Sequence, residues 1–291
     1  MLDLAEIDKL WNYDEPAASE QRFRDLLPAA EPDSEAHAAL LTQVARAQGL
    51  QRQFEAAHAT LDEAQGRLTD AMTVARIRYL LERGRVYNSS REVAQAAPLF
   101  RAAWELATTS AQDFYAVDAA HMLGICEPPA QQIEWNERAL ALAEISGDPR
   151  ARNWAGSLYN NLGWTFHDQG DYARALNLFE RGVEFRKAQG QTAQWLIARW
   201  CVARCLRSLG RVAEALEQQQ ALHTEHATAG TRDGFVAEEL GECLLALGRG
   251  DEARGYFRQA YIELAQDPWL QEGEPARLER LKALGEGTAA A

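Results

Sequence analysis

The stretch YNNLGWTFHDQGDYARALNLFERG, residues 159–182, decides the reading of this chain. Nothing in it looks catalytic. What it holds is spacing: Leu162-Gly163, then Phe166, Gly170-Asp171-Tyr172, Ala175-Leu176, Phe179 and Gly182. Offsets of three and four place residues on one face of a helix, and the Gly-Asp pair interrupts the pattern at its middle. The stretch predicts two amphipathic helices joined by a turn. Small residues mark where the two cross closely, and large ones fill the gaps beside them.

The spacing recurs along the chain. With Gly163 as anchor, equivalent positions are Ile7, Ala45, Gly84, Ala120, Ala203 and Gly241, and the seven anchors step by 38, 39, 36, 43, 40 and 38 residues. Twelve residues after the anchors come Ser19, Ala57, Ala96, Gln132, Ala175, Ala215 and Ala253. Four further on are Phe23, Leu61, Phe100, Asn136, Phe179, Gln219 and Phe257, and three beyond those are Leu26, Ala64, Ala103, Ala139, Gly182, Leu222 and Ala260. All but Gln132, Asn136 and Gln219 are small or apolar or nearly so. A single helix pair cannot bury its own apolar face, so such pairs stack. Pro98 falls early in a predicted second helix, which is expected to start near Val93–Gln95 or to kink, because only the first turn accommodates proline freely.

This pattern resembles the tetratricopeptide repeat. The copy around Gly163 is the best, and Leu240-Gly241, Gly248, Ala253, Phe257 and Ala260 form a second good one. The usual unit is about 34 residues; here it is nearer 40, similar to the longer units of kinesin light chains and bacterial peptide-pheromone sensors. The resemblance covers residues 1–268 as pairs at 1–35, 36–73, 74–110, 111–148, 152–190, 193–229 and 231–267, the first and fourth being degenerate. Residues 274–285 read as a capping helix with a stop at Gly285, and 286–291 as a disordered tail. The fold expected is therefore all-α: one right-handed α-solenoid of stacked helical hairpins with a C-terminal capping helix, and no second domain.

Composition narrows the function. The 291 residues carry 43 acidic against 30 basic side chains, a net charge of −13. A field of that sign repels nucleic acid and anionic membranes. The opening MLDLAEIDKLWNYDEP has no basic start followed by an apolar run, so it does not read as a signal peptide. No stretch approaches the ~18 uncharged apolar residues of a membrane span. Four sparse cysteines show no disulfide framework, and reduced thiols in a cytoplasmic protein are the expectation.

In the family the chain resembles, the first helices of successive units line a concave face. That resemblance implies that residues one after the anchor, three and six before it, and four after it point into a groove. Among them are Arg46, Arg78, Arg85, Phe114, His121, Asn160, Trp164, His167, Trp200, Arg204 and Arg207. The set has five arginines and no carboxylate between Ala39 and Arg207. Arg offers a planar donor fork for carboxylates, the aromatic rings offer stacking faces, and Asn160 can pair with a peptide backbone. The expectation is a groove for an extended or helical peptide of acidic character, and Arg85→Glu with Arg204→Glu is expected to abolish binding while leaving helicity intact.

Two chemical readings compete with this one. Cys201 and Cys205 are four apart and His223 and His226 three apart, a weak candidate for a metal site. Buried structural cysteines and histidines at a helix end, where cations are favoured, are the stronger reading. Carboxylates such as Glu238, Glu239 and Glu242 lack a nucleophile–base–orienter set, and no nucleotide-loop or nucleophile-elbow motif occurs. The chain is thus expected to be a non-enzymatic protein- or peptide-binding module with no cofactor. A ligand-gated regulator and a self-associating scaffold or homo-oligomer remain as alternatives.

Overall fold

Three of the seven anchors are glycines, and each has a phenylalanine ring where its side chain would be. A Cβ added at Gly84, Gly163 or Gly241 would lie 2.6, 2.4 or 2.7 Å from Phe100, Phe179 or Phe257. All three rings are essentially buried. The helices of a pair therefore cross as closely as backbone and ring allow. The second pair swaps the contact for Ala45 over Leu61, both fully buried.

The computed structural model describes residues 4–288. In chain order the helices are α1 (Leu4–Ile7), α2 (Pro16–Leu26), α3 (Glu35–Leu50), α4 (Phe54–Arg67), α5 (Thr73–Ser89), α6 (Val93–Thr109), α7 (Asp113–Cys126), α8 (Pro129–Ile145) and α9 (Pro149–Asn153). They continue as α10 (Ala155–Asp168), α11 (Tyr172–Ala188), α12 (Thr192–Ser208), α13 (Val212–Thr228), α14 (Gly234–Ala246), α15 (Gly250–Leu264), α16 (Pro268–Gly273) and α17 (Pro275–Glu286). No strand occurs among the described residues. The chain divides into two compact units, Met1–Leu158 and Tyr159–Ala291. In the first, α3 packs on α4, α5 on α6 and α7 on α8, and α3 and α5 pack on each other. In the second, α11 packs on α12, α12 on α13, α14 on α15, and α17 covers α15.

Left-handed residues close the hairpins. Seven residues after the anchors stand Arg52, Arg91, Gly170, Gly210 and Gly248, all with φ between 61 and 81°. Glycine accepts that conformation freely; arginine does not. Four helices open on an aspartate whose carboxylate accepts a first-turn N–H: Asp148, Asp171, Asp233 and Asp267. This is the residue type that satisfies otherwise unpaired donors at a helix start.

Several expectations are corrected. The first helix of the first pair is one turn, extended by a 3-10 turn at Asp8–Leu10. It stops there because α2 takes its carbonyls: Arg22 donates to Leu10 O at 3.0 Å and the Ser19 hydroxyl donates to Asn12 O at 2.9 Å. The short helices α9 and α16 were not expected. Both begin at an Asp-Pro pair, an N-cap followed by a proline at the first helical position. The start expected near Val93–Gln95 for the helix that holds Pro98 is met: α6 begins at Val93, and Pro98 lies beyond its first turn. Gly285 is helical, and the stop is Gly287 at φ 71°. Of the tail expected to be disordered, Glu286 is helical and residues 289–291 lie outside the described ones.

Candidate functional site

The first helices carry the expected site residues, and the structure gathers them in two groups, one in each unit. The sequence misses what faces them. Two residues before the anchors stand Gln43, Glu82, Asp118 and Glu239, all buried. Each receives the side chain of the preceding repeat. Arg46 reaches Glu82 at 3.4 Å, Arg85 grips both Asp118 oxygens and also Glu82 at 2.7 Å, and Arg204 reaches Glu239 at 3.0 Å. Arg207 adds a two-pronged pair to Glu239 at 2.8 and 2.9 Å. Trp11 donates its indole N–H to Gln43 at 2.9 Å. At three junctions a first helix is thus stapled to the next by an arginine one after an anchor and an acid two before the following one, and Trp11, four after its anchor, plays the same part toward Gln43. This regular offset was the signal available in the sequence.

The consequence for charge is direct. Burial works against the Arg85 cation, but Asp118 and Glu82 outweigh it and raise its pKa. Burial likewise opposes Arg207, and Glu239 overrides it. Arg78 is 2% exposed and binds the Asp8 carboxylate at 2.8 Å. The arginines expected to be free for a ligand are therefore matched by carboxylates of this chain. Arg85→Glu would set a third carboxylate between Glu82 and Asp118, a substitution that burdens the fold as well as any binding.

In the first unit, Arg46 also lies over the rings of Trp11 and Tyr13, 5.4 Å from each centroid. A cleft of about 250 Å³ opens between Arg46, Leu50, Arg85 and Met122. Phe114 lies under Arg150 at 4.6 Å, and His121 faces Trp154 at 5.0 Å. Burial lowers the His121 pKa, and it is neutral where an ordinary imidazole begins to charge.

In the second unit the aromatic residues form a ladder across α10, α12 and α14. Trp164 and Trp200 are 6.0 Å apart by ring centroids, and Trp200 and Phe235 6.1 Å. Trp200 is anchored by its indole N–H, which donates to Phe235 O at 3.1 Å. Ile197, one turn before Trp200, is 57% exposed and Phe235 37%. The ladder thus leaves an apolar surface open to solvent. Trp164 also meets Phe179 and His167 at 5.1 and 5.0 Å. His167 has its pKa lowered by burial and by Arg204, and its Nε2 pairs with the Ser208 hydroxyl at 2.9 Å. The Asn160 side-chain Oδ1 accepts from the Cys201 thiol at 3.5 Å, so that oxygen is engaged within the chain.

The cysteines and histidines weighed for a metal are not brought together. Burial pushes the Cys201 and Cys205 thiols up to about 12 and about 11. His223 faces Gln259 and His226 faces Thr231 instead. Among the described residues no group of three His, Cys, Asp or Glu is placed to hold a metal ion. No helix among them is long and apolar enough to cross a membrane.

A family model described as tetratricopeptide repeat matches residues 156–188. Among solved structures, the chain is similar to the apo form of RapI, with 14% identity over 97% of this chain and 82% of that one, at a TM-score of 0.75. It is similar to the apo form of the quorum sensor NprR from B. thuringiensis, with 12% identity over 99% and 81% of the two chains and a TM-score of 0.63. It is also similar to a signal transduction ATPase with numerous domains and a tetratricopeptide repeat sensor from Pyrococcus horikoshii, at 14% identity, 95% and 45% coverage and a TM-score of 0.68. No curated protein sequence matches the chain. At these identities the likeness establishes the helical-repeat fold.

Proposed function

We propose that this tetratricopeptide-repeat protein is a non-enzymatic module that binds a protein or peptide segment on the face carried by its first helices. The observation that carries the reading is the ladder of Trp164, Trp200 and Phe235, with exposed Ile197 beside it. Rings held in place before a ligand arrives lose little conformational entropy on binding. Aromatic anchors surrounded by polar side chains are the composition of binding hot spots. Matched arginines flank the ladder, so recognition rests on apolar and aromatic side chains of the ligand more than on its net charge. The likeness to a quorum sensor and to a repeat-bearing sensor protein supports a ligand-responsive role within that reading. The same reading treats the seven pairs as one solenoid in the cytoplasm.

A displayed random-peptide library selected on the purified chain tests this. Enriched peptides should carry apolar or aromatic residues at recurring spacing, and Trp200→Ala, checked for unchanged circular dichroism, should lose them. No enrichment, or equal enrichment on Trp200→Ala, defeats the assignment.

A further inference from the structure

The ion pairs described above link neighbouring repeats; those of Asp8 do not. Asp8 stands one after the first anchor, where a partner in the second pair is due. Instead it meets Arg78, 70 positions on in α5, whose Nη2 donates to Asp8 Oδ1 at 2.8 Å and to Leu4 O at 3.1 Å. Arg150, on α9, approaches the other Asp8 oxygen to 3.7 Å. The two guanidinium groups rest on aromatic faces: Arg78 on Tyr115 at 5.2 Å, and Arg150 on Phe114 at 4.6 Å. Beside them a cavity of about 460 Å³ is bounded by Asp8, Phe114, Arg150 and Trp154.

The fit of these two guanidinium groups to the Asp8 carboxylate is incomplete. Arg78 is buried to 2% exposure, yet its Nε–H has no hydrogen-bond partner. The Asp8 Oδ2 has none either. A carboxylate seated squarely on the fork of Arg78 would take both Nε and Nη, the two-pronged geometry that guanidinium favours. The segment that holds Asp8 there is one helical turn and a 3-10 turn, whereas the first helices α3, α5, α7, α10, α12 and α14 run 13 to 17 residues.

We propose that residues 4–10 are a displaceable occupant of an acidic-peptide site in the first unit, formed by Arg78, Arg150, Phe114 and Tyr115. The ligand it takes from another protein is a short helical turn that presents a carboxylate four residues after a main-chain carbonyl, with an apolar side chain just before the carboxylate to take the place of the fully buried Ile7, as Leu4, Ile7 and Asp8 do. The inference rests on the peptide-binding reading but on a different unit and different residues. A tethered segment competes with an outside ligand at an effective concentration on the order of millimolar, so the chain's own N-terminal turn sets a threshold for binding.

The test uses the full chain and a fluorescein-labelled peptide with the sequence of residues 1–12. By fluorescence anisotropy, the peptide should bind Asp8→Asn at least ten-fold more tightly than wild type, and Asp8→Asn with Arg78→Met should lose that gain. Affinities within two-fold of each other, or no binding to Asp8→Asn, overturn the proposal. A second measurement needs no variant: excess unlabelled peptide should accelerate amide hydrogen exchange in residues 4–10 of wild type and leave α3 unchanged. Unaltered exchange in residues 4–10 overturns it equally. Trp200→Ala should leave both results intact, so failure of the aromatic-face assignment is distinguishable from failure here.

Discussion

The same substitution, glycine to alanine, should change stability in opposite directions at two helical positions. Gly255 lies exposed inside α15 with nothing within 4 Å of an added Cβ. Alanine there gains about 1 kcal/mol of helix propensity. Gly163, buried inside α10, would set its Cβ 2.4, 2.7 and 2.9 Å from three atoms of the Phe179 ring. Ordinary carbon contacts begin near 3.5 Å, so the ring must move by roughly 1 Å. Phe179 is 2% exposed and is backed by Trp164 at 5.1 Å, which leaves it little room. Overpacking of this kind costs about 1–3 kcal/mol. After the propensity gain, Gly163→Ala should lose up to about 2 kcal/mol, some 1–3 kcal/mol below Gly255→Ala. Urea titration followed by circular dichroism reads both. A double-mutant cycle with Phe179→Leu should show favourable coupling of at least about 1 kcal/mol, because the smaller side chain makes room for the methyl group. If Gly163→Ala is as stable as Gly255→Ala, or if the cycle is additive, the close crossing of glycine and ring does not govern the repeat.

Other predictions follow from single features. Gln219 is fully buried at the position where five of the other six repeats have Phe or Leu, and neither of its amide atoms has a partner. Gln219→Leu, reproducing the Ala45–Leu61 pair, should raise stability by about 1–3 kcal/mol in urea titration; a loss would show that the amide is satisfied. Arg91 turns its hairpin at φ 68°, so Arg91→Gly should raise the melting temperature by a gain of up to about 1 kcal/mol, and a lower temperature would refute the strain. Arg85→Met strands the buried Asp118 carboxylate and leaves Glu82 only Arg46, and should cost on the order of 3 kcal/mol; unchanged stability would remove the ion pair from any role in stacking. Burial lowers the His121 pKa. As pH falls through the ordinary imidazole value near ~6.5, the unfolded chain takes up its proton first. Stability should therefore decline from neutral pH until the folded-state pKa is passed, and less steeply in His121→Leu. Equal slopes for the two proteins would contradict this.

The helix pairs were legible because their packing leaves a mark on every repeat: a small residue at a close crossing demands a large one sixteen positions on. Pairing across repeats left a weaker mark. The acceptors Glu82, Asp118 and Glu239 sit at a fixed offset, but a residue-by-residue list of a groove treats each arginine without its partner, so a neutralised face read as a cationic one. The turns at Arg52 and Arg91 were hidden because a left-handed arginine is held there by its surroundings and has no glycine to announce it. The contact of Asp8 with Arg78 spans 70 positions, whereas periodicity speaks only of neighbours. Trp164 and Trp200 were found from the register, and Phe235 stands at the offset of Arg78 and Ile197, six before an anchor.

The stapling of one first helix to the next also fixes the order of the repeats. Arg46 and Arg85 each need an acid two positions before the following anchor, while Glu242 needs the cation that Arg280 supplies from α17. A chain in which the third and sixth pairs were exchanged would keep every glycine, every ring and every turn. It would also set Arg46 beside the buried Cys201 and Glu82 beside Trp164. Those two junctions carry an address, so the repeats resist a shuffling that a purely apolar seam would permit.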